Sequence, residues 1–248
     1  MTGQPSKFTL KSDCKILKEV AKNPQISSQA LQVTLAAVGV NVHESSIRKT
    51  LRNFDLHGDL SGKVFTFPME SDQVHVKLIP NMNKSLHTAT VCLRFFSDLH
   101  RDQSIFSLAM PFCFKSYSLG CTRYGLNEWA SASAAWLSDT GLAQLWMNGK
   151  PGARKALDPG RTVTGRHSII LGQDLDSYGG GFDAKQSFVG LVTDVRVWDH
   201  ALSPHDIYHF TQDSMFSPGN ILKWSDLQYS KQGYGVVEDK QNLVSQTG

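Results

Sequence analysis

Along this chain the spacing of apolar residues changes from every third or fourth position to every second, and the change falls near residue 60. Before it, three helical stretches follow one another. Ile16, Leu17 and Val20 form a short apolar face that ends ahead of Asn23-Pro24, where proline disfavours a helical conformation in the residue before it. Ser27 or Ser28 can cap a second helix that carries Leu31, Leu35 and Val38 and stops at Gly39. Glu44-Ser45-Ser46 opens a third, with Ile47, Leu51 and Phe54 on one side and Arg48, Lys49 and Arg52 on the other. Three short helices joined by tight turns, the last with a basic face, predict a small all-α helix-turn-helix domain over residues 1–58. Arg48, Lys49 and Arg52 are its candidate DNA contacts, against the plainer reading of a solvated helix side.

From residue 59 to 248 the pattern is mainly β. Val64, Phe65 and Phe67 mark a first strand, and Val74, Val76 and Leu78 alternate with His75 and Lys77 as a half-buried strand should. Residues 90–96 and 104–109 read as further strands. Residues 142–147 run into Asn148-Gly149, a two-residue hairpin signal, and 168–171 and 188–198 complete the set. One helix interrupts them, with Ser203 as its cap, Pro204 in its first position and Asp206 near its positive end. Many short antiparallel strands with a single helix predict a β-sandwich of jelly-roll type.

Composition changes this picture in two places. Up to Gly58 there are eight basic and four acidic residues, a net +4, whereas the remainder carries 17 basic and 18 acidic residues, a net −1, so the two modules differ in charge. The cysteines, Cys14, Cys92, Cys113 and Cys121, have no paired or regular spacing, which gives neither a zinc site nor a disulfide framework. No apolar run has the length of a membrane span, and no signal peptide opens the sequence, so an intracellular location is the expectation from these residues alone. Neither a phosphate-binding GxxxxGK[ST] loop nor a GxSxG nucleophile elbow occurs, and no enzymatic activity is expected. His205 and His209 have helical spacing without the glutamate of a zinc protease and read as exposed helix residues; Trp136, Trp146, Trp198 and Trp224 read as core.

The densest chemistry lies between Ile169 and Gln186, where an apolar run feeds a loop containing Asp174, Asp176 and Asp183 with glycines between them. Carboxylates spaced this closely repel one another unless a cation lies among them, and flexible all-oxygen coordination suits calcium. An acidic surface turn is the competing reading.

Two resemblances extend this reading. Residues 12–58, through Lys15-Ile-Leu-Lys-Glu-Val and His43-Glu-Ser-Ser-Ile-Arg-Lys-Thr-Leu, look like the first helix-turn-helix of mariner-type transposases, which implies weak DNA binding; the catalytic carboxylate domain of a transposase does not follow. Residues 63–240 resemble the pentraxins, through Lys63-Val-Phe-Thr-Phe-Pro, Thr90-Val-Cys-Leu-Arg-Phe, Leu145-Trp-Met-Asn-Gly-Lys-Pro, Ser168-Ile-Ile-Leu-Gly-Gln-Asp, Val197-Trp-Asp and Phe216-Ser-Pro-Gly-Asn. That resemblance implies a lectin-like jelly roll, secretion, a cyclic homo-pentamer, and calcium-bridged binding of phosphocholine or other anionic head groups in acute-phase innate immunity. It also implies calcium ligands at Asp174, the backbone carbonyl of Leu175, Asp176, Asp183 and Gln186.

Three departures from the pentraxin pattern accompany these matches. The segment around residues 110–126 has no acidic residue before Asn127, lacks the family's calcium-ligating Asp-Asn pair, and is shorter by about two strands, with the choline pocket lying in the missing part. Cys92 occupies the first position of the family disulfide and Ser133 the second, leaving Cys113 or Cys121 as the alternatives. The expected function is therefore a calcium-dependent binding protein impaired at part of its site. The rival expectations are a transposon-derived DNA-binding protein with a passenger pentraxin domain, and a fusion without function.

Overall fold

The structure is a computed structural model that describes residues 28–43, 60–80, 85–110, 113–121, 127–157, 160, 162, 168–175, 181–212 and 216–240. The chain divides into two compact units, residues 1–56 and 57–248.

In the first unit the described helix, α1, spans Ser28–Ala37. Leu31 and Leu35, one turn apart, are fully buried as their spacing predicts, but Val38 is 59% exposed. The helix has already ended there: Gly39 at φ +75° donates to Ala36 O, and Val40 donates to Leu35 O. That 6→1 and 5→2 pair of bonds is a Schellman cap, and it turns Val38 off the apolar face. The first and third predicted helices, with Arg48, Lys49 and Arg52, lie outside the described residues.

The second unit is a sandwich of two antiparallel sheets. Its strands are β1 (Lys63–Phe67), β2 (His75–Ile79), β3 (Thr88–Phe96), β4 (Gln103–Met110), β5 (Cys113–Cys121), β6 (Ala130–Leu137), β7 (Leu142–Met147), β8 (Lys150–Pro151), β9 (Lys155–Ala156), β10 (Ser168–Leu171), β11 (Gly190–Trp198), β12 (Gln228–Gln232) and β13 (Val236–Asp239). The larger sheet runs β13-β1-β11-β3-β6-β7-β8, with β9 also on β7; the smaller runs β12-β2-β10-β4-β5. From β1 to β4 and from β9 to β13 consecutive strands alternate between the sheets, as in a jelly roll, whereas β4–β5 and β6–β9 are hairpin neighbours within one sheet. Phe65, Phe67, Leu93, Phe95 and Val192 from the larger sheet meet Val76, Leu78, Ile105, Ile169 and Tyr229 from the smaller in one core. Rings pack edge to face there, Phe65 against both Trp224 and Tyr229 and Phe67 against Phe188.

The outer face of the larger sheet is covered by helix α2, Pro204–Gln212, whose Ile207 and Phe210 are buried. Its start is a capping box: Ser203 Oγ accepts from Asp206 N–H at 3.1 Å, and Asp206 Oδ2 accepts from Ser203 N–H at 3.3 Å. Asn148 and Gly149 both have positive φ, 48° and 75°, the geometry of a two-residue hairpin turn, and they join β7 to β8.

The strand reading needs correction in several places. Val74 immediately precedes β2, and the short strands β8 and β9 and the closing strands β12 and β13 are absent from the reading. The segment read without strands between residues 110 and 126 contains β5, paired with β4 at the edge of the smaller sheet. Finally, β6, Ala-Ser-Ala-Ser-Ala-Ala-Trp-Leu, went unread because alanine and serine have low strand propensity; it is central in the larger sheet, where small side chains fit between core and helix.

Candidate functional site

The loop between β10 and β11 leaves and returns through one backbone bond. Gly172 donates to Ile105 O at 3.0 Å, and Phe188 donates to Gly172 O at 2.9 Å, so the two described arms of the loop, residues 173–175 and 181–187, are joined at their neck. Gly172 is required at the neck. Its φ is +88°, and a β-carbon there would lie 2.3 Å from Cε1 of Phe67.

Side chains from distant segments then fasten the loop. Gln173 is fully buried and donates through Nε2 to the carbonyl of Ser71 and, at 3.0 Å, to that of Val74, which ties the loop to the β1–β2 turn. Ser71 N–H in turn donates to Ser187 Oγ at 3.3 Å. Arg101 binds Glu70 Oε1 through Nε at 2.9 Å and the Lys185 carbonyl at 2.7 Å, which pins the far side. Gln103 completes the frame, receiving Val189 N–H at 2.9 Å and donating to Ser97 Oγ at 3.0 Å. None of these residues was singled out from the sequence. Each bonds to a segment tens of residues away, and a polar side chain carries no sign of that.

The predicted ligands fall on this loop in different settings. Asp174 is half-buried beside the smaller sheet; its Oδ1 accepts from Leu175 N–H at 2.9 Å and faces Ser107 Oγ at 3.4 Å. Ser107 is itself fully buried and donates to the Gln173 carbonyl at 2.7 Å. Leu175 is buried with Ile170 and Phe182 in a small cluster on the outer face of the smaller sheet, so its side chain anchors the loop. Asp183 is exposed and caps a single 3-10 turn, Ala184–Gln186, by accepting Lys185 N–H at 2.9 Å. Gln186 ends that turn, exposed. Asp176 lies outside the described residues. Among the described residues no three His, Cys, Asp or Glu side chains gather where one ion would touch them all.

The donor set nevertheless suits a hard cation. Asp174 and Asp183 are each oriented through one oxygen by backbone N–H groups, and among the described residues the second oxygen of each makes no hydrogen bond. His75 borders the same loop, its ring 4.7 Å from that of Phe182. Its Nδ1 donates to Gln73 O at 2.8 Å, and burial holds its pKa below the usual histidine value, with Lys77 adding to the effect. His75 is therefore neutral near pH 7 and adds no charge to compete with a cation.

The departure at Cys92 and Ser133 is also visible. Cys92 and Ser133 are direct partners across β3 and β6, and Cys92 is a free, fully buried thiol under helix α2, packed with Trp198 and Phe210. Burial pushes its pKa up to about 12, against the opposing effects of the Ser133 hydroxyl and the Arg196 charge. His205 and His209 are exposed on α2, with Nε2 atoms 3.1 Å apart, and Trp136, Trp146, Trp198 and Trp224 are all core residues.

Comparison with known proteins matches this geometry to one family. The Pentaxin family model matches residues 63–116 and 120–239, so its break falls within β5, and a Transposase model matches residues 13–66. Serum amyloid P-component of Mesocricetus auratus is 42% identical over 200 residues, covering 73% of this chain and 85% of that protein. Mucosal pentraxin of Rattus norvegicus is 39% identical over 200 residues, covering 73% and 89%. Among solved structures, the native heptameric SAP-like pentraxin from Limulus polyphemus superposes with a TM-score of 0.62 at 20% identity, covering 74% of this chain and 97% of that one.

Proposed function

The chain belongs to the pentaxin family, and from that premise we propose that it is a non-enzymatic, calcium-dependent binding protein acting outside the cell. The observation that carries this reading is the β10–β11 loop, closed at Gly172 and fastened by Gln173 and Arg101, with Asp174 and Asp183 each oriented through one oxygen by a backbone N–H. Asp174, the Leu175 carbonyl, Asp176, Asp183 and Gln186 would hold the ion. Calcium supplies there the positive charge that lets an acidic loop receive an anionic head group such as phosphocholine. Fewer ligands than the wider family uses give a weak site, of order 10⁻⁴ to 10⁻³ M, the range of extracellular calcium modules. Assembly into a closed homo-oligomeric ring, a pentamer in the first instance, belongs to the same reading; the SAP-like pentraxin from Limulus polyphemus is heptameric. No described helix is long and apolar enough to cross a membrane.

Thermal unfolding of the full chain tests the calcium claim. Millimolar calcium, about one to ten times that dissociation constant, should raise the melting temperature more than magnesium does, by the equivalent of about 0.4–1.4 kcal/mol. Asp176→Asn should abolish the rise. Identical melting curves in calcium and in chelator would overturn the assignment, and retention on phosphocholine resin that ignores chelator would overturn the bridging role.

The Transposase match over residues 13–66 favours one secondary reading, weak DNA binding by the first unit through Arg48, Lys49 and Arg52. Few phosphate contacts make such binding steeply salt-sensitive. A gel shift unchanged by Arg48→Ala with Arg52→Ala would remove it.

A further inference from the structure

At the other end of β10 the sheets enclose a cavity of about 410 Å³ that the calcium reading does not use. Register explains its shape. On the inner face of the larger sheet, Val91, Ala134 and Leu145 form one cross-strand row, and Ala89, Trp136, Ala143 and Lys155 the next. Alanines at 89, 134 and 143 keep this floor low, while Phe106, Leu108 and Ile169 of the smaller sheet form the roof. Leu145 and Leu157 stand at the rim, each 46% exposed. A void of this size lined by hydrocarbon forfeits dispersion contacts on every side and offers water almost no partners, so an apolar molecule gains by entering it. Its volume lies within the range of small-molecule sites, about 300–1,000 Å³.

The charge at the mouth narrows the ligand class. Lys155 is the charged residue of the lining, and the segment from Lys150 to Leu157 adds Lys150 and Arg154 with no acidic residue. The turn that carries them is fixed: Gln144 Nε2 donates to Gly152 O at 2.9 Å, and Arg154 Nε donates to Gln144 Oε1 at 3.2 Å. An apolar chamber with Lys155 in its lining and Arg154 held beside it suits a molecule with one hydrocarbon chain and one anionic end. We propose that the space between the sheets is a binding site for a single long-chain fatty acid, its tail over Ala134 and Ala143 and its carboxylate at Lys155. The site shares no residue with the β10–β11 loop and needs no calcium.

The test uses the full chain in chelator with cis-parinaric acid, a fluorescent fatty acid that can receive energy from Trp136 in the cavity wall. Binding should saturate at one molecule per chain and be displaced by palmitate. Ala134→Phe, which fills the chamber, should weaken it at least about tenfold while the melting temperature holds or rises. If that variant fails to fold, Ala143→Leu fills the same row more gently and should act in the same direction. Lys155→Glu should weaken palmitate but leave competition by uncharged hexadecanol unchanged. Absence of saturable binding overturns the proposal, as does undiminished binding by a folded, cavity-filled variant. Equal loss of palmitate and hexadecanol competition in Lys155→Glu overturns the placement of the carboxylate.

Discussion

Beyond the Leu171 end of β10 side chains are held by directional bonds, whereas the side chains around Ile169 meet the facing sheet through apolar contact alone. The loop end carries a glycine that admits no β-carbon, a buried glutamine bonded to two carbonyls, and an arginine spanning two segments. The other end offers alanines and leucines around empty space. Directional bonds specify position to within a fraction of an ångström and tolerate few substitutions, while apolar packing tolerates change as long as volume is conserved.

The largest effect should come from breaking the directional end. Gly172→Val places a branched side chain at positive φ against the Phe67 ring and should cost about 4 kcal/mol, read from the urea midpoint, with loss of any calcium response. Ser133→Cys sharpens the contrast in the other direction by placing a covalent link across β3 and β6, the strands that floor the cavity. It should stabilise the domain by about 2–4 kcal/mol under oxidising conditions, be silent in reductant, and leave the calcium response unchanged. Thiol titration before and after should find Cys92 reactive only on unfolding in the unmodified chain, since a thiol with its pKa near 12 is protonated and enclosed. The smallest effect concerns His75. Its folded pKa is depressed, so the unfolded chain binds the extra proton first, and stability should decline as pH falls below about 6.5 until the folded pKa is passed. His75→Gln should flatten this decline.

Most of the sandwich was legible because its strands alternate: Val76 and Leu78 against Lys77, and Leu93 and Phe95 against Arg94, declare their faces outright. Ser203 with Asp206 and Asn148 with Gly149 declared a helix start and a turn, because those signals depend only on local backbone geometry. β6 did not, since a strand buried on both faces by alanine and serine shows neither alternation nor propensity. Val38 was assigned to a helical face because the cap at Gly39 bends the chain one residue earlier than the spacing implies. At the site, Asp174 and Asp183 were legible as carboxylates, but the residues that orient the loop, Gln173, Ser107 and Arg101, were not, because their partners are remote in sequence.

The Cys92–Ser133 pair bears on where such a domain can be made. Two neighbouring strands joined by backbone bonds, with the Cys92 thiol protonated beneath Trp198 and Phe210, ask nothing of an oxidising folding machinery at that position. This part of the fold is therefore indifferent to glutathione, and the strand pair can close on a ribosome facing the cytosol as readily as on one feeding the secretory pathway.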